Sequence, residues 1–307
     1  MGGFLVMLKM CSLGGTLVLE SHFHPEAIFS LIEKYGVTQV YMIPPALFYN
    51  MATSAARRGR TFPSVREIQC AGGRKRDQDV VAAFDLFPHA LLRVSFGSSE
   101  TGMSCTTYFT KEECLENPAR ALSLGTPNAY VSMKLLDDNK EPVQPGSPGR
   151  AWIKSPMNFD RYGNLPQATA DAFDAEGYFD SGDILKEGSE GLYEFVDRAH
   201  DMIKTGGENV YAREVELVVT AFPGIQECVA IAIPDHKYGE AIGVAIVVDK
   251  DCRQLNYEEL LSYCKKKMAS FKKPRYALLV DEIPRNALGK IQKNELRARA
   301  HEFEPII

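Results

Sequence analysis

The chain lacks the cysteine pattern of a disulfide-linked or zinc-binding protein. Its seven cysteines are scattered along the sequence, and no two of them form a CxxC pair. They are Cys11, Cys70, Cys105, Cys114, Cys228, Cys252 and Cys264. This usage predicts a reducing, cytoplasmic compartment, and the final residues do not form an SKL-type peroxisomal signal.

An excess of positive charge and an uninterrupted apolar run are also missing. With 35 basic and 40 acidic residues the formal charge is -5, so no overall field draws in nucleic acid or an anionic membrane. The apolar stretch at residues 1–19 is interrupted by Lys9 and two pairs of glycines. We therefore expect no nucleic-acid partner and no transmembrane segment, and we interpret residues 1–19 as a buried helix followed by a strand.

What is present is the composition of a globular α/β protein with two or more domains. Residues 1–103 alternate helices and strands, which predicts a partial parallel-sheet subdomain of a larger domain. Shorter strands separated by turn residues predict a small antiparallel, barrel-like β unit over residues 104–197. A glycine hairpin followed by helices and strands predicts a C-terminal α+β domain over residues 198–307.

The clearest helix of the first region begins at Pro25 and stops at Gly36. Its spacing places a set of apolar side chains on one face, which we expect to be buried. The set consists of Ala27, Ile28, Leu31, Ile32 and Tyr35.

Residues 96–102, FGSSETG, follow a predicted strand and so lie at the sheet edge where α/β proteins bind ligands. The carboxylate of Glu100 suits a hard cation such as Mg²⁺, and the hydroxyls of Ser98, Ser99 and Thr101 suit phosphate oxygens. The alternative is a helix N-cap, in which Ser or Thr before Glu satisfies free amides.

Three further segments carry polar groups beside glycines. Residues 178–183, YFDSGD, offer the carboxylate of Asp183 to the two hydroxyls of a ribose, although a plain turn explains the same pattern. Residues 197–209 combine basic side chains with adjacent glycines, which let the backbone approach a phosphate or a thiol-bearing arm. Residues 284–290 present Lys290, which can offset negative charge in a transition state, but a solvated lysine is the simpler interpretation of that residue alone.

The order and spacing of GSSETG, YFDSGD, DMIKTGGENVYAREVE and PRNALGKIQKNELR resemble four core motifs of the adenylate-forming (AMP-binding) superfamily, in its acyl-CoA synthetase form. The resemblance covers residue 1 to about residue 300. It implies an ATP-dependent acid–thiol ligase that converts a fatty or aromatic acid to an acyl-adenylate and then to a CoA thioester. The implied cofactors and substrates are ATP or AMP, Mg²⁺, CoA and a carboxylic acid.

The resemblance also implies a role for each matching residue. Glu100 is implied to hold Mg²⁺, Lys290 to orient the reacting groups in adenylation, Lys204 to serve thioester formation, and His200 to be the hinge of a mobile C-terminal domain. The implied nucleotide- and CoA-binding positions are Gly72, Gly73, Phe96, Gly97, Ser98, Thr101, Asp183, Arg198, Gly206, Gly207 and Glu208.

The sequence departs from the family pattern in several places. A Ser/Thr/Gly-rich phosphate loop ending in Pro-Lys-Gly and a pocket histidine are not found, and GxxxxGK is absent, so we expect little adenylation by this truncated chain alone. Asp180 and Ser181 replace a common Arg-Thr pair, and Asp197 replaces a Gly before the motif arginine. A charged run at residues 74–77 is expected to be a solvated helix start or to narrow the nucleotide pocket.

Two other functions remain open from the sequence. One is the adenylation domain of a peptide synthetase, against which the CoA-ligase form of two motifs argues. The other is a remnant without catalysis that binds nucleotide or CoA, or acts as a partner protein. Basic residues between 265 and 275 are expected to be a solvated helix end or a contact for CoA phosphates.

Overall fold

The computed structural model describes residues 2–42, 46–70, 75–249, 255–286 and 289–306. The α-helices in these ranges are α1 (Gly2–Ser12), α2 (Pro25–Tyr35), α3 (Ala46–Thr53), α4 (Asp77–Leu86), α5 (Lys111–Glu116), α6 (Pro118–Leu122), α7 (Pro166–Asp171), α8 (Ala212–Thr220), α9 (Tyr257–Lys267) and α10 (Lys293–Ala298). The strands are β1 (Gln39–Met42), β2 (Glu67–Cys70), β3 (Leu91–Ser98), β4 (Gly102–Phe109), β5 (Ser132–Leu136), β6 (Gly149–Lys154), β7 (Phe179–Glu187), β8 (Tyr193–Arg198), β9 (Ile203–Thr205), β10 (Glu208–Val210), β11 (Ile225–Asp235), β12 (Gly239–Val248), β13 (Tyr276–Leu279) and β14 (Glu304–Pro305).

The strands form three sheets, and the mixed α/β class is confirmed. In the first sheet β1, β2 and β3 are parallel neighbours, and β4 pairs antiparallel with β3. Side chains alternate across these strands, so the face that carries Ile68, Leu92 and Val94 is fully buried against the helices. Because β4 runs to Phe109, the first sheet continues beyond residue 103, where the sequence pattern placed a boundary.

Helix α2 forms where the sequence predicts it. Pro25 opens the helix, and Gly36 ends it in the left-handed region at φ 58° while its N–H donates to the Ile32 carbonyl. The buried side of the helix is centred on Phe29 and Ile32. The expectation that Tyr35 is buried is wrong, because this last-turn residue is 53% exposed.

The expectation of a buried helix and strand at residues 1–19 is correct only in that a helix forms, because Phe4 and Leu8 of α1 are 58% and 46% exposed. Helix α1 is present, but residues 15–20 form no strand, and Leu13 and Leu19 are 70% and 77% exposed. A strand needs a neighbour to take its backbone hydrogen bonds. Among the described strands none pairs with this segment, so its alternation of residues is not enough to order it as β-structure.

The second sheet is antiparallel, in the order β5-β6-β7-β8. β5 and β8 are its edges, so the strands resolved here do not close into a barrel. Residues 124–128 tie this sheet to the first one, because Gly125 bridges to Tyr193 and Pro127 bridges to Cys105. A small core around Ala151 and Leu185 lies beneath this connection.

The third sheet is mixed, in the order β10-β9-β12-β13-β14, with β11 paired to β12. The predicted glycine hairpin is confirmed, since Gly206 and Gly207 connect β9 to β10 with φ values of 60° and 87°. Helices α8 and α9 pack on one side of this sheet. Among the described helices, none is long and apolar enough to cross a membrane.

Candidate nucleotide site

The Ser98–Gly102 segment is a tight turn between β3 and β4, so the alternative interpretation as a helix N-cap is wrong. The Ser98 hydroxyl accepts the N–H groups of Glu100 and Thr101 at 3.1 and 3.2 Å. The Thr101 hydroxyl accepts the Ser98 N–H at 3.2 Å and the Ser104 hydroxyl at 3.0 Å. The hydroxyls of Ser98 and Thr101 therefore hold the turn together, and Thr101 is only 1% exposed.

Gly97 is needed for the backbone to close at this turn. A Cβ on Gly97 would lie 1.9 Å from the Gly102 carbonyl oxygen, a distance that no side chain tolerates. Its neighbour Phe96 is partly buried and packs against the core around Ala151 and Leu185. These contacts fix the carboxyl end of β3, from which Glu100 projects.

Glu100 is held both by its backbone and by its side chain. Its carbonyl accepts the N–H of Phe159 at 2.7 Å, and its Oε1 accepts the Tyr162 hydroxyl at 3.3 Å. Both donors come from the loop that follows β6, a strand of the second sheet. Sequence patterns did not identify Tyr162, because it lies 62 residues from Glu100 and carries no motif of its own.

The YFDSGD segment is part of β7, so its interpretation as a plain turn is wrong. The register between β6 and β7 shifts between Arg150 and Trp152, which leaves a β-bulge with Gly182 at φ 69°. The Ser181 hydroxyl stabilises the bulge by donating to the Ala151 carbonyl at 2.7 Å and accepting the Asp183 N–H at 3.1 Å. The glycine thus bends a strand and presents Asp183.

Asp183 and Arg198 form the centre of the site. They face each other across β7 and β8, and Arg198 Nε lies 2.7 Å from Asp183 Oδ1. Asp183 is 3% exposed, whereas the Arg198 side chain is 51% exposed. Although close to the guanidinium, Oδ1 accepts no hydrogen bond of good geometry from any residue that the structure describes. The ion pair with Arg198 is therefore the contact that the structure describes for this buried oxygen.

Burial raises the pKa of Asp183 to about 6, against the attraction of Arg198, while the charges of Asp180 and Glu100 add to the rise. The influence of Glu100 shows that the first and second sheets bring their carboxylates into one electrostatic environment. Asp180 itself is neutralised by Arg150, whose Nε and Nη2 approach its two oxygens at 2.7 Å each. Asp180 therefore serves as the partner of Arg150, a pairing that the sequence did not reveal.

The carboxylates of this site can be compared with the oxygen ligands that Mg²⁺ uses in phosphate sites. Within the described ranges, no cluster of three His, Cys, Asp or Glu residues is arranged to hold a metal ion. Mg²⁺ in phosphate sites is commonly held by one or two carboxylates, with phosphates and water completing the shell. Glu100 has one oxygen beyond the Oε1 that Tyr162 occupies, so it fits as the single carboxylate of such a shell.

Beyond Arg198 the chain passes through a short turn, Ala199–Asp201, before β9. Asp201 pairs with Arg297 and, at 3.8 Å, with Lys293, and Arg297 also donates to the His200 carbonyl. His200 itself is 66% exposed at its side chain. The expected hinge residue is thus tethered by its backbone to α10, the helix that follows the Lys290 turn.

Asp197, near the end of β8, also contacts the part of the chain that follows this turn. Its carboxylate accepts the N–H of Arg198 at 2.8 Å and the N–H of Arg213, in the first turn of α8, at 3.2 Å. The Arg213 guanidinium also donates to the Phe195 carbonyl at 2.8 Å. This acidic residue, a departure from the family pattern, therefore caps a helix of the C-terminal unit from the end of β8.

The two remaining sets of expected catalytic residues lie at opposite ends of the third sheet. Lys290 is exposed on the turn bridged by Arg285 and Ile291, and Arg285 pairs with Glu227 near the start of β11. Gly206 donates its N–H to the Tyr238 carbonyl, just after the end of β11. Eight residues of strand separate Glu227 from Asp235, which corresponds to roughly 26 Å.

The end of the third sheet that lies beside Lys290 is the end near the first sheet and its helices. Burial raises the pKa of Glu227, and the charges of both Arg285 and Arg76 oppose that rise. Arg76 precedes α4, so the charged run is a helix start in its described part, as expected. At the other end Lys204 and Glu208 are exposed on the β9–β10 hairpin, with the Lys204 N–H donating to Glu240.

The structure thus pairs Asp183 with Arg198 and places Glu100 near enough to raise the pKa of Asp183. Lys204 lies on β9, and Lys290 lies on the turn before α10. Gly72 and Gly73, two of the implied nucleotide-binding positions, lie outside the described residues. The basic residues at the end of α9, Lys265–Lys267, are exposed, as expected for a solvated helix end.

Family models match two parts of the chain. Residues 1–163 match the AMP-binding enzyme family, and residues 214–290 match the AMP-binding enzyme C-terminal domain. The chain is 31% identical over 296 residues to feruloyl-CoA synthase of Amycolatopsis sp, covering 96% of this chain and 58% of that protein. It is 30% identical to the medium/long-chain-fatty-acid–CoA ligase FadD8 of Mycobacterium tuberculosis, covering 94% of this chain and 51% of that protein.

Solved structures of adenylate-forming enzymes superpose on the chain. o-Succinylbenzoate CoA synthetase of Bacillus subtilis, in complex with its acyl-adenylate intermediate, superposes with a TM-score of 0.82 at 26% identity, over 96% of this chain and 58% of that one. ATP-bound MatB of Rhodopseudomonas palustris gives 0.81 at 25% identity, and apo MatB gives 0.65 at 26%; each covers 93% of this chain and 55% of MatB.

These relatives and neighbours include acyl-CoA synthetases. The chain belongs to the AMP-binding enzyme family. It spans about half the length of the curated relatives it matches.

Proposed function

We propose that this chain carries the acyl-adenylate site of an ATP-dependent acyl-CoA ligase for a fatty or aromatic acid. In the first half-reaction a carboxylate oxygen attacks the α-phosphorus of ATP, and pyrophosphate leaves. In the second, the CoA sulfur attacks the acyl carbon; the bond from that carbon to the AMP oxygen breaks, and the thiol proton passes to solvent. Mg²⁺, when bound, supplies charge neutralisation at the phosphates.

The observation that carries this proposal is the ion pair of Asp183 and Arg198, in which Oδ1 and Nε lie 2.7 Å apart and the charge of Glu100 adds to the raised pKa of Asp183. A carboxylate has more acceptor positions than one guanidinium contact uses. The two neighbouring hydroxyls of a ribose match the two oxygens of one carboxylate. Asp183 is therefore assigned to the ribose of the adenylate.

Arg198 and Glu100 supply the charge pattern that an adenylate phosphate requires. Arg198 is anchored on Asp183 at one edge, while about half of its side chain is open to solvent and can reach a phosphate oxygen. Glu100 follows β3 of the first sheet and would hold Mg²⁺ through its carboxylate. The turn around Glu100, including Gly97, Ser98 and Thr101, is assigned to the fixed wall of the nucleotide site, with Phe96 behind it.

The third sheet supplies the groups that distinguish the two half-reactions. Lys290 is assigned to adenylation, because its end of the sheet lies near the first unit in this arrangement. Lys204, with the Gly206–Gly207 hairpin and Glu208, is assigned to thioester formation from the opposite end. The higher superposition score with ATP-bound MatB than with apo MatB supports a nucleotide-bound type of arrangement for this structure.

Exchange between the two ends requires rotation of the C-terminal unit about residues 199–201, with His200 as the hinge. A rotation about few residues is a common mode of domain movement. The rotation rearranges two contacts: that of the His200 carbonyl with Arg297 of α10, and that of the Asp197 carboxylate with the Arg213 N–H of α8.

The assignment is tested with a synthetic acyl-adenylate and CoA, following thioester formation by chromatography. Lys204→Ala is expected to lower the rate about tenfold or more, because its element faces the thiol, whereas Lys290→Ala leaves the rate close to that of the wild type. A loss with Lys290→Ala and none with Lys204→Ala reverses the assignment of the two ends.

Adenylation by the same chain is tested by acid-dependent exchange of labelled pyrophosphate into ATP. We expect little exchange, because the sequence holds no Ser/Thr/Gly-rich loop to donate backbone N–H groups to the β- and γ-phosphates. Rapid exchange that depends on Lys290 would show that other groups bind these phosphates.

A further inference from the structure

The loop between β6 and α7 closes over the turn that carries Glu100. Phe159 donates its N–H to the Glu100 carbonyl at 2.7 Å, and Tyr162 donates its hydroxyl to Glu100 Oε1 at 3.3 Å. Met157 packs on the same turn so closely that a Cβ on Gly102 would lie 2.6 Å from its Cε. The loop between β6 and α7 therefore holds Glu100 both at its main chain and at its carboxylate.

The Tyr162 ring is fixed from behind by an aromatic cluster. It lies 4.6 Å from the Phe159 ring, which stacks on Phe173 at 5.4 Å and meets Phe179 edge-on at 5.3 Å. The Tyr162 N–H also donates to the Thr169 hydroxyl at 3.0 Å. The hydroxyl that contacts Glu100 is thus presented by a rigid support.

That support continues into the strand that carries Asp183. Phe179 is the first residue of β7, four positions before Asp183, and it is buried. The cluster therefore connects the carboxylate on the first sheet with the carboxylate on the second sheet. A short rigid connection of this kind sets the distance between two groups that must contact the same nucleotide.

The chemistry at Glu100 follows from the donor. A tyrosine hydroxyl that donates to Oε1 fixes the rotation of the carboxylate and leaves the other oxygen for a cation or a cation-bound water. The donor in this contact is the phenolic hydroxyl of Tyr162, and its ring is held in place by Phe159.

We propose that Tyr162 is a positioning residue that orients the Glu100 carboxylate toward the cation bound to the nucleotide phosphates. The role rests on the proposed function of the Glu100 site. It assigns to the loop at residues 157–162 a task in cation binding, in addition to its packing between the two sheets.

The contact itself is tested without nucleotide, by comparing the tyrosine ¹³Cζ chemical shifts of the wild type and of Glu100→Gln at pH 7.5. Tyr162→Phe identifies the Tyr162 signal by its disappearance. Removing the carboxylate that accepts its hydroxyl is expected to move the Tyr162 signal and that of no other tyrosine. An unchanged Tyr162 signal contradicts the contact and overturns the positioning role.

The role in cation binding is tested by calorimetric titration with a non-hydrolysable ATP analogue at increasing Mg²⁺. Tyr162→Phe is expected to raise the Mg²⁺ concentration for half-maximal effect about five- to tenfold, while the affinity for the analogue without Mg²⁺ stays at the wild-type value. The matched control is Tyr276→Phe, which also removes a tyrosine–carboxylate hydrogen bond, to Asp235, but far from Glu100 in the third sheet. We expect this control to match the wild type.

The outcomes separate the two proposals. If the wild type binds the analogue with a Mg²⁺ dependence that Glu100→Gln abolishes and Tyr162→Phe does not alter, the positioning role is wrong and the nucleotide site stands. If the wild type binds no analogue with or without Mg²⁺, the proposed nucleotide site is wrong, and the positioning role fails with it. Equal loss in Tyr162→Phe with and without Mg²⁺ shows a purely structural residue and overturns the inference.

Discussion

Asp183 is buried beside a guanidinium that is half exposed, and its protonation controls what the site can bind. Desolvation raises the pKa of this carboxyl to about 6, more than the nearby positive charge lowers it. The ionised form accepts two ribose hydroxyls, whereas the protonated form has lost part of that capacity. Binding at this residue is therefore coupled to a proton at mildly acidic pH.

We expect the affinity for a sulfamoyl acyl-adenylate analogue to fall about tenfold or more between pH 7.5 and pH 5. The sulfamoyl group stays anionic over this range, so the change belongs to the protein. Asp183→Asn is expected to bind weakly at every pH, with no dependence near pH 6. Calorimetry across the range checks this, and an equally steep dependence in Asp183→Asn would show that another group titrates.

The same pKa shift has an opposite consequence for folding. Because the folded-state pKa of Asp183 lies above its ordinary value of 3.8, its protonated form stabilises the folded chain at low pH, and this contribution is lost as pH rises through about 6. Relative to Asp183→Asn, the free energy of unfolding of the wild type should therefore decrease by roughly 1 to 3 kcal/mol from pH 4 to pH 7. Urea denaturation of both proteins measures the difference, and Asp174→Asn, at a carboxylate paired with Lys134, is the control.

For individual residues, sequence motifs identify the groups that carry the site, but they do not reveal contacts between residues that lie far apart in the chain. Asp183 and Arg198 stand in motifs, and antiparallel pairing of β7 with β8 brings them face to face. Tyr162 reaches Glu100 across 62 residues, and Arg150 reaches Asp180 across 30, so no short pattern reveals either pair. The first contact forms only when the two sheets pack together, and the second forms only when β6 pairs with β7.

Among the elements, the β3–β4 turn depends on a backbone approach that only glycine permits. We expect Gly97→Ala to destabilise the fold by about 1 to 3 kcal/mol, because the added Cβ collides with the Gly102 carbonyl. Gly163→Ala is the matched control, since a Cβ there meets nothing within 4 Å. Thermal unfolding of both variants decides the matter, and equal melting temperatures would show that the turn relaxes at little cost.

The junction between β8 and α8 is held by Asp197, which joins the second unit to the C-terminal unit through two backbone N–H groups. Asp197→Ala is expected to lose about 1 kcal/mol of stability and to raise the rate of limited proteolysis at residues 199–202. Asn256→Ala removes the cap of α9 in the same unit, at a similar cost and away from the hinge. If both variants are cleaved equally fast at the hinge, Asp197 has no specific part in holding it.

Elements with strong periodicity are those that the sequence predicts best. In the C-terminal α+β structure that the sequence predicts, the helix at Ala212–Thr220 has one buried side, and the strands at Ile225–Asp235 and Gly239–Val248 are apolar runs buried on both faces. The bulge in β7 is misread as a turn, because a glycine at positive φ suits both structures. Residues 15–20 are expected to form a strand, but no described strand pairs with them, and their apolar composition alone does not produce one.

For the whole molecule, the arrangement of three sheets matters more than any single element. Two sheets meet at Glu100 and Asp183, and the third carries two sets of candidate catalytic groups roughly 26 Å apart along β11. No single fixed orientation of the third sheet places both sets of groups at one small site at the same time. The order of motifs predicts which units are present, whereas the end of the third sheet that faces the site follows only from the structure.

The account depends on Glu100, Asp183 and Arg198 contacting one bound adenylate. The most direct test is a calorimetric titration of the acyl-adenylate analogue at pH 7.5 into the wild type, Glu100→Gln, Asp183→Ala and Arg198→Ala. We expect one site per chain in the wild type and a loss of about tenfold or more in Asp183→Ala and Arg198→Ala, with the effect of Glu100→Gln appearing only when Mg²⁺ is present. Wild-type affinity in both Asp183→Ala and Arg198→Ala would contradict the account.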